Sequence, residues 1–306
     1  MASTSTPIIH NSATTGFADA TSYDTYRPSY PHEAVEGLLG HLGLAGSEHR
    51  GARIVDLAAG TGKLTEVLAA RPEEYEILAV EPHDKMRQTL EAKGLRGVRS
   101  RSGTAEQMGV EDGWADAVVV AQLLYPDRRS CDRFANEDAL NEIRRVLKPG
   151  GKLAMIWNIE DCISPHLSPD VPMLTTSHTW TDNKPRSWKA ATDWEQQLHE
   201  LVINAATDGQ PRFRDYVWRE VFDQQQGRLF TTPIGDDKTE WTIWLGLEAL
   251  WDRVRTLSHI AMLQGEERDR FRAAFDKIVK EGDGRWNEKG EVATHGATTF
   301  SWTSRV

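Results

Sequence analysis

The stretch RIVDLAAGTGKLT, Arg53–Thr65, decides the fold. The apolar pair Ile54–Val55 runs into Asp56, a small-residue turn with Gly60 and Gly62 follows, and a helix-compatible segment begins at Lys63. This is the pattern of a strand, a tight loop and a helix N-terminus. The glycines allow φ > 0 and let the backbone approach a ligand closely. The loop is not a phosphate cradle, because it lacks both the Gly-Lys-Ser/Thr ending of a P-loop and the full G-x-G-x-x-G spacing of a dinucleotide site.

The surroundings sharpen the reading. A second apolar run, Glu76–Val80, ends at Glu81, 21 positions beyond Gly60. An acid at the end of the second strand, about 20 residues past the glycines, is placed to grip a ribose diol, for which a carboxylate has the acceptors. Together the two features point to a nucleoside-containing cofactor. A third short strand is expected at Val98–Ser102, a fourth at Trp114–Gln122 and a fifth at Lys152–Trp157. Between them lie helices from Lys63, from Asp84 and over Asn136–Leu147. The last has acids at its start and Arg144, Arg145 and Lys148 at its end, matching the helix dipole. Alternating strands and helices of this kind give a parallel, doubly wound sheet.

Asp56-x-x-x-Gly60-x-Gly62, Gly103-Thr104-Ala105-Glu106, the strand Trp114–Gln122 and the string RRVLKPGGKLAMIWN (residues 144–158) follow one another in order. In this they resemble the class I S-adenosylmethionine methyltransferases. The segment Phe17-x-x-Ala20-x-x-Tyr23-x-x-x-Arg27-Pro28-x-Tyr30-Pro31 is similar to the N-terminal arm of the small-molecule subgroup related to the ubiquinone-biosynthesis and trans-aconitate enzymes. The resemblance covers residues 17–160 and continues faintly through Arg253–Ala261. It implies an α/β, Rossmann-like fold with a seven-stranded, mostly parallel sheet and an added helical cap. It also implies S-adenosyl-L-methionine as cofactor and S-adenosyl-L-homocysteine as product. By the same resemblance Asp56 orients the glycine loop and reaches the cofactor's amino group, with Ala58, Gly60 and Gly62 beside it. Glu81 holds the ribose, and Met86, Thr104, Ala105 and Glu106 edge the adenine. Gln122 ends the fourth strand at the reaction centre. Two positions depart from the pattern. Thr104 stands where many relatives have Asp, and Tyr125-Pro126 replaces a His-Trp pair, which removes the family's expected base.

Composition bounds the rest. The 306 residues suffice for one large α/β domain with a cap, and their net charge of −10 (36 basic against 46 acidic) disfavours a general nucleic-acid binder. A mean hydropathy of −0.54 and the absence of any long apolar run argue against a membrane span. Cys131 and Cys162 fit neither a zinc spacing nor a disulfide framework, and a cytoplasmic location is expected. Residues 1–16 are polar and are read as a disordered tail, followed by a single domain over 17–306. Within it lie an arm (17–50), a cofactor-binding core (51–159) and cap segments (160–215 and 236–295).

In the second half, Asp161–Lys189 contains four prolines and is read as a long loop. Helices are expected over Ala191–Ala206 and Glu266–Lys280, one long helix or two consecutive ones over Thr239–Leu263, and the last two strands over 216–222 and 296–303. Small-molecule acceptor contacts are assigned to Tyr23, Arg27, Tyr30, Tyr125, Trp157, Asn158, Trp244 and Trp251, with no metal. The base candidates are Tyr125, His166, His178 and His259, since histidine accepts a proton near neutral pH. An acceptor that is already anionic needs no base, only alignment. Two rival functions keep the same fold: a cyclisation or rearrangement without methylation, and a cofactor-binding partner subunit without catalysis.

Overall fold

The computed structural model describes residues 24, 28–122, 136–161, 190–205 and 217–306. The chain divides into two compact units. Unit 1 comprises Met1–Trp157, Gly209–Lys238 and Thr299–Val306, and unit 2 comprises Asn158–Asp208 and Thr239–Thr298.

Unit 1 opens with α1 (His32–Leu42), which stops where Gly43 turns left-handed and returns its N–H to the last carbonyls. There follow β1 (Arg53–Leu57), α2 (Lys63–Ala69), β2 (Glu76–Val80), α3 (Asp84–Ala92), β3 (Val98–Arg101), β4 (Ala115–Ala121) and α4 (Glu137–Val146). Strand β5 (Leu147–Glu160) comes next and runs into unit 2. In β1, Ile54 to Leu57 are all buried, as in a parallel strand covered on both faces. Val35, Leu38 and Leu39 of α1 pack with Ile54, Ile77, Val119 and Ile156 of four adjacent strands. Helix α4 is set as its sequence requires: the Asn136 side chain accepts the Ala139 N–H at 2.7 Å, and Ala139, Leu140, Ile143 and Val146 form its buried face.

Further on lie α5 (Asp193–Asn204), α6 (Glu220–Asp223), β6 (Gly235–Gly246), α7 (Leu247–Val254), α8 (Ser258–Ala261), α9 (Gly265–Glu281) and β7 (Glu291–Ser304). The seven strands form one sheet in the order β3-β2-β1-β4-β5-β7-β6. The first five run parallel. Strand β7 opposes β5: Arg305 N–H donates to Gly151 O in unit 1 and Asp161 N–H to His295 O in unit 2, so residue numbers rise in one strand as they fall in the other. Strand order reverses beside β1, which has β2 on one side and β4 on the other, and ligands of open α/β sheets bind at such a switch point.

Two expectations are corrected. Of the strand expected over 216–222, the described part is helical: Val217–Arg219 is a 3₁₀ turn leading into α6. Trp218 and Phe222, four apart, share one buried face and meet edge to face at 6.4 Å. Over Thr239–Leu263 the two consecutive helices are α7 and α8, but the segment before them, read as helix, is the end of β6. From 239 to 245 exposure alternates, with Thr239, Trp241, Ile243 and Leu245 turned inward, and the β-branched residues favour the strand. The apolar residues at 241, 244 and 245 fit a helical period equally well, so their spacing misleads.

The core of unit 2 joins Trp194, Leu198 and Val202 of α5 to Leu250, Trp251 and Val254 of α7 and to Phe271, Phe275 and Val279 of α9. Trp251 is only 6 % exposed. Its ring lies 5.2 Å from Phe275 and 6.1 Å from Phe271, with the Arg272 guanidinium 4.8 Å over it. Trp251→Ala should therefore lower the stability of the folded chain by about 3–5 kcal/mol, to be read by chemical denaturation. Among the described residues no helix is long and apolar enough to cross a membrane.

Candidate active site

The loop after β1 is held in a conformation that few residues adopt. Gly60 (φ 58°) and Gly62 (φ 84°) are left-handed, and so is the non-glycine Ala58 (φ 57°). Gln122, just past the end of the neighbouring β4, is also left-handed (φ 48°), and its N–H is bonded to Ile156 O at 2.8 Å. Strain of this kind, of order 1–3 kcal/mol per residue, persists where the surroundings over-determine the backbone, and it clusters at ligand sites. Here the two strained residues flank the carboxyl edge at the switch point.

Glu81 is the main tie on the loop. One carboxylate oxygen accepts the Gly60 N–H at 2.8 Å and the other the His83 N–H at 2.8 Å. Ala59 N–H donates to Val80 O at 3.2 Å, so the loop is fastened to the end of β2 twice. Burial pushes the Glu81 carboxyl upward, against the pull of the His83 and Gly60 N–H groups and of Arg87. Met86, on the first turn of α3, lies beneath the loop, and a Cβ on Gly60 would stand 3.8 Å from its sulfur.

Asp56 is fully buried at the end of β1. One oxygen accepts the Thr65 hydroxyl at 2.5 Å, and Oδ1 has no partner among the described residues. Burial pushes this carboxyl up to about 7, opposed by the Thr65 bond and aided by the charge of Glu81. The unfolded chain releases the proton near 3.9. Asp56 in its protonated form thus favours folding below about pH 4, and that contribution is lost as pH rises toward 7. Relative to Asp56→Asn, wild-type stability should fall by about 1.4 kcal/mol per pH unit across this window, measured by urea unfolding at stepped pH.

The segment read as edging the adenine, Gly103–Glu106, is equally tight. Thr104 and Gln107 exchange backbone hydrogen bonds at 3.1 and 3.2 Å, and a Cβ on Gly103 would come within 2.8 Å of Val80. Glu106 accepts from the Asn136 side chain at 3.3 Å, which ties it to the start of α4.

The expected acceptor residues that are described divide between the two units. Tyr30 is 5 % exposed and belongs to the core against α1. Trp157 is buried against Trp218, their rings 5.0 Å apart. In unit 2, Asn158 accepts the Thr298 hydroxyl at 2.6 Å, and Thr298 in turn accepts the Trp241 indole N–H at 3.1 Å. Trp244 is 37 % exposed with the Arg285 guanidinium 5.0 Å over its ring, whereas Trp251 fills the unit's core rather than lining a pocket. His259 meets the Val202 carbonyl through Nε2 at 3.2 Å, so that nitrogen carries its proton and is not a base. Tyr23, Arg27, Tyr125, His166 and His178 lie outside the described residues, as does most of the loop read over Asp161–Lys189. Among the described residues no group of side chains could hold a metal ion.

Three polar ties, two at the loop in unit 1 and one in the interior of unit 2, escaped sequence reading. Thr65 faces Asp56 from the first turn of α2, a position that the strand–turn–helix pattern contains but does not single out. Asp24 reaches the glycine turn from 37 residues upstream, with no sequence signal for the contact. In unit 2 the buried Glu195 accepts both the backbone N–H of His295 (2.7 Å) and its ring Nδ1–H (3.0 Å).

Comparison with known proteins agrees with this geometry. Residues 55–155 match the methyltransferase-domain family profile. An uncharacterised methyltransferase of Mycobacterium tuberculosis is 31 % identical over 241 residues, 78 % of this chain and 74 % of that one. One from Schizosaccharomyces pombe is 40 % identical over 144 residues, 47 % of this chain and 52 % of that one. A ubiquinone/menaquinone biosynthesis C-methyltransferase of Rubrivivax gelatinosus is 35 % identical over 102 residues, 33 % of this chain and 38 % of that one. With the sheet order and the loop already described, the chain belongs to the class I, Rossmann-like methyltransferase family.

Proposed function

We propose that this methyltransferase takes its methyl group from S-adenosylmethionine, passes it to a small organic acceptor and releases S-adenosylhomocysteine. The observation that carries the reading is the pair of carboxylates at the switch point. Asp56 keeps one buried oxygen without a partner, and Glu81 retains acceptor capacity beyond its two N–H bonds. These residues fit the cofactor. Glu81 would accept from the ribose hydroxyls, the open face at Gly60 would take the methionine part, and Asp56 would receive the amino group directly or through water. Met86 and the Thr104–Glu106 segment would border the adenine.

The cofactor supplies an electrophilic methyl on a sulfonium. The chain contributes rigidity: the bonds of the loop to Glu81 and Val80 hold it, with Ala58 left-handed, before binding, so little order has to be gained on binding. An ammonium beside Asp56 favours its ionised form, so cofactor uptake below neutral pH is accompanied by proton release from this carboxyl. Methyl transfer to an aligned nucleophile is an in-line displacement, and alignment is the main demand on the protein. Incubation with methyl-labelled S-adenosylmethionine and a whole extract of the producing cell tests the reading. Label in a low-mass product supports it, and label confined to protein or nucleic acid overturns it.

A further inference from the structure

Asp24 meets the cofactor loop from outside the sheet. Its Oδ1 accepts the Thr61 hydroxyl at 2.7 Å and the Lys93 ammonium at 2.9 Å, and Lys63 Nζ stands 3.8 Å away. Thr61 is the middle residue of the Gly60-Thr61-Gly62 turn and is 1 % exposed. Lys63 begins α2 and Lys93 closes α3, so three elements converge on one carboxylate. Lys93 also reaches Glu66 at 3.2 Å, which balances the two ammonium groups with two carboxylates. Burial acts to raise the Asp24 carboxyl, but the Lys93 and Thr61 bonds and both lysine charges bring it below the usual carboxylate range.

Resting on the reading of this loop as the S-adenosylmethionine site, we propose that Asp24 is a positioning residue for the cofactor, an anionic tether that fixes Thr61 and with it the glycine turn. The glycines on either side of Thr61 add little restraint of their own, because glycine populates φ > 0 and φ < 0 alike, so the turn depends on its hydrogen bonds. The Thr61 hydroxyl is a second handle on the turn, beside the Glu81–Gly60 bond. Removing the tether leaves the turn to sample other conformations, and ordering it again opposes binding. The charge-assisted bonds at Asp24 are the strong kind, so the effect appears in affinity before it appears in global stability.

The test is calorimetric titration of S-adenosylhomocysteine into wild type, Asp24→Asn, Thr61→Val, the double variant and Lys93→Met, with thermal melts alongside. Asp24→Asn should bind roughly tenfold more weakly at a nearly unchanged melting temperature. Lys93→Met should move the same way, and the double variant should be no weaker than the worse single one, since both remove one contact. High salt should weaken binding to wild type more than to Asp24→Asn. Equal affinities across the set, or losses that are additive and track the melting temperature, overturn the proposal while leaving the cofactor reading intact. No binding to wild type overturns both.

Discussion

Gly62→Ala should destabilise the folded protein by about 2–5 kcal/mol. Gly62 precedes α2 at φ 84°, ψ 29°, a left-handed conformation that costs a residue with a Cβ about 1–2 kcal/mol. The added carbon would also stand 2.2 Å from Leu90 Cδ1 and 3.2 Å from its Cγ. Leu90 is 2 % exposed and packs with Ala59 and Ala79, so it must leave a filled position to make room. Overpacking of this kind adds roughly 1–3 kcal/mol. Urea unfolding of the variant measures the sum. A midpoint equal to wild type at equal slope would mean that the turn tolerates a side chain and is not the tight element described here.

Glu81→Ala is expected to weaken binding of S-adenosylhomocysteine by about 2–4 kcal/mol, roughly thirty- to a thousandfold. From the sequence alone Glu81 faces the ribose and is otherwise idle, which predicts a smaller loss and an unchanged fold. The structure gives it a second task. It accepts the Gly60 and His83 N–H groups while 5 % exposed, so its removal strands two backbone donors and frees the loop. Losing a ribose acceptor and losing the loop's shape both reduce affinity. Glu81→Gln separates the two. The amide oxygen replaces one acceptor but not both, and the variant should fall between wild type and Glu81→Ala. Equal binding by all three proteins would place the ribose elsewhere.

The Rossmann-like half was legible because its signals are local. Strands buried on both faces read as apolar runs, each ends in a residue of different character, and glycines mark the left-handed turn after β1. Asn136 and the charges of α4 announced that helix by the same kind of short-range chemistry. The second half obeys weaker signals. Around Trp241 and Trp244 a two-residue and a 3.6-residue period coincide over a few positions, and only the β-branched neighbours decide for the strand. Trp218 and Phe222 mislead in the opposite sense, since their spacing is helical while the neighbouring valines suggest a strand. At the site, the identities of Asp56, Gly60, Gly62 and Glu81 were readable, but their ties were not. The bonds of Glu81 to Gly60 and of Asp24 to Thr61 join residues 21 and 37 apart, and nothing in either segment encodes its partner. The tryptophans show the converse. Indole side chains suit an acceptor pocket and a core equally well in sequence, and in Trp251 the core has it.

The central claim is that the loop between β1 and α2, fastened by Glu81, holds S-adenosylmethionine. Calorimetric titration of S-adenosylhomocysteine into the folded wild-type chain tests it most directly. Binding of one equivalent, with an affinity on the order of −7 to −8 kcal/mol, that is largely lost in Glu81→Ala is the predicted result. Folded protein that gives no binding, or a Glu81→Ala variant that binds as tightly as wild type, would contradict it.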